Sequence, residues 1–84
     1  MSLLADHHAP RTSAAHREAV LAFLEIDRRL RRLERVDAAA SGRLRLALLS
    51  LRQRFERGQI GADAAKGEAE LLLRRAEDTE TRRR

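Results

Sequence analysis

From Ala19 onward, apolar residues recur at alternating steps of four and three: Phe23, Ile26, Leu30 and Leu33 follow in turn, and Asp37 and Ala40 keep the same spacing. A repeat of that kind lies along one stripe of an α-helix and predicts a helix over 13–40, with Ser13 as its N-cap. Leu44, Leu48, Leu51 and Phe55, supported by Ala47, predict a second helix over 43–57. Ser41-Gly42 reads as the stop between them, because Gly takes the left-handed position after a helix end at little cost. Gly58 is the corresponding stop after the second helix, with Ile60 placed to fold back on it. Ala65, Ala69, Leu72 and Ala76, flanked by Leu73, predict a third helix over 62–78, opened by Gly61 or Asp63. Residues 1–12 have no helical period and read as a flexible tail, and residues 79–84 read as a basic tail. The expected fold is all-α, a single domain over 13–78 in which a long helix is followed by a shorter helical hairpin.

Not every apolar residue fits those stripes. Val20, Leu21 and Leu24 fall off the first one, so residues 19–24 are apolar nearly all round. Leu46 and Leu49 point to a second face of the second helix, and Leu71 does the same on the third. A helix that is apolar all round is normally buried on more than one side. In a three-helix monomer each helix has only two neighbours, so these six residues predict an interface. Gly67 adds to this, because a mid-helix glycine costs ~1 kcal/mol relative to Ala unless a close backbone approach uses it.

Length strengthens the same expectation. At 84 residues the chain is one small domain, and such a domain buries only roughly 60% of its unfolded surface. Oligomerisation is a usual remedy for a core of that size. Cysteine is absent, which excludes disulfides and thiolate metal sites, and no apolar run reaches the ~20 residues of a membrane span. No secretory signal pattern opens the chain, so the expected compartment is the cytoplasm.

Charge is unevenly distributed within a net +5. Residues 28–57 carry ten arginines against three acids, whereas residues 58–81 are net acidic. Opposite fields on successive helices invite pairing, either within the chain or between copies. Arg28, Arg31, Arg32 and Arg35 lie opposite the apolar stripe of the first helix and could contact phosphates. Against sequence readout, only Phe23 and Phe55 are aromatic, Asn is absent, and no helix-turn-helix or zinc-finger spacing occurs.

Residues 51–73 read LRQRFERGQIGADAAKGEAELLL. Leu51, Arg52, Phe55, Gly58 and Ile60, followed by Ala65, Ala69 and Leu72, resemble the short helical hairpin known as SHOCT. Ala65 stands where that hairpin usually carries Phe or Tyr, and Gly61 stands where a Ser, Thr or Asp cap is common. The resemblance covers about a quarter of the chain. It implies a role in oligomerisation or protein contact and brings no catalytic residues with it.

Reactive chemistry is sparse. His7, His8 and His16 lack the one-turn spacing of converging metal ligands, so no metal site is expected. No hydroxyl has a histidine placed to activate it, and no glycine-rich phosphate loop occurs. Glu68 and Glu70 are two apart on a helix and face different ways. The expected function is therefore non-enzymatic and needs no cofactor: a helical interaction or oligomerisation module that binds itself, another protein, or both. The alternative is an accessory, sequence-tolerant nucleic-acid binder that uses the arginine stripe.

Overall fold

Ser13 opens the first helix in the computed structural model, which describes residues 13–83. Its hydroxyl accepts the His16 backbone N–H at 3.1 Å, satisfying one of the orphan donors of the first turn. Three helices follow and pack on one another: α1 (Ala14–Glu34), α2 (Ala38–Glu56) and α3 (Ala62–Arg83). No strand occurs among the described residues. The fold is an all-α three-helix bundle. The tail expected over residues 1–12, with His7 and His8, lies outside the described residues, as does Arg84.

Two boundaries differ from the sequence reading. The first helix ends at Glu34 rather than continuing to residue 40. The Val36 and Asp37 N–H groups both donate to the Leu33 carbonyl, at 2.9 and 2.7 Å, and close the helix without a glycine. Asp37 is not a member of the first stripe. It is the N-cap of α2, and its carboxylate accepts the Ala40 N–H at 3.0 Å. Ser41 and Gly42 consequently lie inside α2 and do not form a stop. Ser41 is buried, and its hydroxyl donates to the Leu30 carbonyl at 2.9 Å, tying the first turn of α2 to α1. The early break also equalises the helices. At 1.5 Å per residue, 21, 19 and 22 residues give lengths of roughly 32, 29 and 33 Å. Each helix can then cover the others along its whole length.

The second difference is at the other end. Residues 79–83 do not form a tail, because α3 continues to Arg83 and places Glu80 on its buried stripe. Ala65, Ala69, Leu72, Ala76 and Glu80 form that stripe, and four of its side chains are small or polar where α1 presents large ones. Phe23, Ile26, Leu30 and Leu33 of α1 meet Leu48 and Leu51 of α2 and the alanines of α3 in one core. Pairing large residues with small ones fills space without voids.

Gly58 behaves as the sequence predicts. It adopts φ +73°, its N–H donates to the Phe55 carbonyl at 3.0 Å, and the Gln59 N–H donates to the Arg54 carbonyl at 2.8 Å. This is the Schellman pattern, and Ile60 packs against the core beyond it. This turn and the one at 35–37 each reverse the chain, so α2 runs antiparallel to α1 while α3 runs parallel to it. Phe55 accordingly reaches the ring of His16 in the first turn of α1, with centroids 5.0 Å apart, and that of Phe23 at the middle of the helix, 5.6 Å away.

Ion pairs fasten this arrangement at both ends. Lys66 donates to Glu18 at 2.7 Å, and Arg83 donates to Asp37 at 2.9 Å. The Ala40 N–H, followed by Arg83, holds the Asp37 carboxyl below its ordinary value. The Lys66 hydrogen bond likewise lowers the Glu18 carboxyl, while Glu18 raises the Lys66 ammonium. A depressed carboxyl stabilises the fold above its unfolded value and loses that contribution as pH falls through the folded one. A raised ammonium stabilises below its unfolded value and loses that contribution as pH climbs through the folded one. Acid should therefore weaken both carboxylate contacts below about pH 4, and only strong alkali, above about pH 10, should release Lys66. An asparagine in place of Asp37 would retain the capping ability but not the charge. The Asp37→Asn variant should thus lose less of its thermal midpoint than the wild type between about pH 5 and pH 2. Parallel melting curves for the two proteins over that range would contradict the assignment.

Candidate functional site

The six apolar residues that fall off the stripes are all exposed in the bundle. Leu46 keeps 69% of its surface and Leu21 keeps 63%, with Val20, Leu24, Leu49 and Leu71 also open to solvent. The core is complete without them. The structure distributes them along the three seams where helices meet.

Val20, Leu24 and Asp27 follow one another at four and three residues, and therefore share a stripe of α1. Arg45 and Leu49 share a stripe of α2, four residues apart. An ion pair of 3.9 Å between Asp27 and Arg45 joins the two stripes. Because the helices are antiparallel, a step of one turn toward the start of α1 is level with a step of one turn toward the end of α2. Leu24 and Leu49 thus lie at about the same level on neighbouring helices, with Val20 one turn away on α1. Leu71 lines the groove between α2 and α3, beside Ser50, and Leu46 stands one turn before Ser50 on the same side of α2. Leu21 borders the α1–α3 groove with Ala22, Ala69 and Leu73, and adjoins Leu24 three residues further along α1.

Val36 is a seventh exposed apolar residue, in the turn between α1 and α2, that the sequence reading did not single out. The available signal was an apolar residue set between Arg35 and Asp37 and off the stripe. Gly67 has open space where a Cβ would sit, and so does Gly42. Among the described residues no helix makes the close approach that Gly67 suggested.

The arginine stripe is divided. Arg31 is held 3.1 Å from Asp27, and Arg32 lies 3.8 Å from Glu80 of α3. Arg28 and Arg35 have no ion-pair partner among the described residues. Arg29, outside the expected stripe, reaches Glu77 at 3.4 Å and Glu80 at 3.7 Å. The attraction between a basic middle segment and an acidic last helix is thus satisfied inside one chain. Glu80 is only 6% exposed, and its position next to two guanidiniums compensates a carboxylate placed at the core edge.

Residues 51–73 fold as the end of α2, the Gly58 turn and the start of α3, which is a helical hairpin. Arg54 donates to Glu68 across it at 2.9 Å. Among the described residues no cluster of three or more His, Cys, Asp or Glu could hold a metal ion, and no helix is long and apolar enough to cross a membrane. No family model matches the chain, and neither a curated protein nor a solved structure matches it significantly.

Proposed function

We propose that the protein is a non-enzymatic helical module for protein–protein interaction and oligomerisation: an adaptor, a small chaperone-like cofactor or a structural subunit of a larger assembly, working in the cytoplasm. One observation carries the reading. Among the described residues, seven large apolar side chains stand exposed around a core that is already closed without them. Burying an exposed Leu or Val contributes roughly 1.5–3 kcal/mol when complete, so a partner that covers a few of them gains a stable contact. The patches lie on all three seams of the bundle, which favours contact with more than one neighbour. The partner is a second copy of the chain, another protein, or both. The helical hairpin at residues 51–73 supports the same reading, since the SHOCT-like pattern implies a contact role. No cofactor enters the proposal.

Replacing Leu24 and Leu46 together by Gln tests it. Both side chains are exposed, so the bundle itself should keep its helical signal and its thermal transition. Self-association measured by sedimentation should be lost or strongly weakened. An unchanged association constant in the double variant would sink the assignment of these faces to the interface.

A further inference from the structure

We propose that the groove between the beginning of α2 and the end of α3 is a binding site for phosphate groups, held by Arg43, Arg75 and Arg82. This site is independent of the apolar patches and of the Arg28–Arg35 stripe. The groove is a cavity of about 380 Å³, open to solvent, into which Arg43 faces from α2 and Arg75, Asp78 and Arg82 face from α3. Its remaining α2 wall includes Ala40 and Ala47, whose small side chains leave room for guanidinium groups and a ligand.

The three arginines differ from Arg54 and Arg83 in having no ion-pair partner among the described residues. Arg54 is held by Glu68 and Arg83 by Asp37, each at 2.9 Å. Arg43, Arg75 and Arg82 have no carboxylate within 4.0 Å among the described residues. Arg43 and Arg82 also line the adjoining groove, which contains Asp37 and Arg83. Over both grooves four guanidiniums face two carboxylates, and the Asp37 carboxylate is already engaged by the Ala40 N–H and Arg83. Two positive charges are left unmatched. Thr79 stands between Arg75 and Arg82, but its hydroxyl donates to the Arg75 carbonyl at 2.8 Å and leaves the recognition to the arginines.

Ligand chemistry follows from the guanidinium and from the spacing. The planar fork of Arg matches phosphate with two parallel hydrogen bonds. Arg75 and Arg82 are seven residues apart, so their Cα atoms are separated by roughly 10.5 Å along the helix axis. They can hold the two ends of a ligand that carries successive phosphates, while Arg43 closes on it from the opposite wall. The groove has no aromatic side chain to stack a base. Recognition is therefore of the phosphate chain, either as a small polyphosphate or as the backbone of a nucleic acid.

Titration of the full chain with inorganic tripolyphosphate, and separately with a short DNA duplex, tests this. Arg75→Gln combined with Arg82→Gln should weaken tripolyphosphate binding by about tenfold or more, because each charge-assisted contact is worth more than a neutral one. Arg28→Gln combined with Arg35→Gln, on the outer side of α1, should leave binding within about twofold of the wild type, as a site-specific contact requires. Asp78→Asn, which removes the one free carboxylate in the groove, should strengthen it, a change opposite in sign to any loss of fold. If the duplex competes and the groove variant loses about two units of its log–log salt slope, the phosphates belong to a nucleic-acid backbone. If only tripolyphosphate binds, the ligand is a small polyphosphate. Absence of tripolyphosphate binding in the wild type, or equal losses in the two arginine pairs, would overturn the proposal. The sedimentation mass of these variants reports separately on assembly, so either reading can fail without the other.

Discussion

Leu30→Ala should lower the unfolding free energy by about 2–5 kcal/mol, the range for deleting a buried Leu side chain. Leu30 has no exposed surface and stands among Ile26, Leu33 and the α3 alanines in the core. Its surroundings have little freedom to collapse into the space. The alanines across from it cannot extend, and the local backbone is held by the Ser41 hydroxyl on the Leu30 carbonyl. A domain of this size has a total stability of roughly 4–12 kcal/mol, so the loss is a large part of the whole. Urea unfolding should show a lower midpoint with an unchanged slope, which marks a change of stability and not of the denatured state. Thr81→Ala, on an exposed position of α3, should move the stability by no more than about 0.5 kcal/mol. Equal effects at the two positions would mean that α1 does not bury this stripe.

The second large effect concerns Glu80 and is asymmetric. Replacing both Arg29 and Arg32 by Met should destabilise the bundle by roughly 1–3 kcal/mol, because a carboxylate at the core edge then loses two of the charges that compensate its burial. Replacing Glu80 by Leu should cost little or even stabilise. The arginines are more exposed than Glu80 and can turn to water, while the new side chain extends the stripe of Leu72 and Ala76. Well-packed apolar residues often substitute for buried ion pairs without loss. Thermal and urea unfolding of the two variants side by side checks the prediction. A larger loss from Glu80→Leu than from the double arginine change would show that the carboxylate does more than balance those charges.

The sequence revealed the buried stripes, the Ser13 cap and the Gly58 stop because each is a local signal, set by spacing or by one residue's conformational preference. It misplaced the first break because Asp37 and Ala40 happen to continue the four-three spacing, so periodicity ran through a turn. An aspartate followed by three alanines is a credible N-cap, but Gly42 offered a more familiar stop. In the structure Gly42 sits inside α2, and Gly58 is the only glycine with positive φ among the described residues. The third helix was cut short for a related reason. Glu80 continues the stripe from Ala76, yet a charged residue at a core position reads as an end until Arg29 and Arg32 are seen beside it.

The exposed residues were legible for the same reason as the core, since anything apolar and off the stripe must face outward. Their grouping was not. That Arg43 shares a groove with Arg75 and Arg82 depends on how the helices are set against each other. This register is set by the packing of the three buried stripes, which brings together residues far apart in the chain such as Asp27 with Arg45 and Lys66 with Glu18.

Sedimentation equilibrium of the purified wild-type chain at micromolar concentration tests the central claim most directly. With its outer faces covered by neighbouring copies, the protein should sediment at a multiple of its 9.6 kDa chain mass. A single species of 9.6 kDa, unfolding in one sharp thermal transition, would contradict the claim that copies of the chain cover those faces.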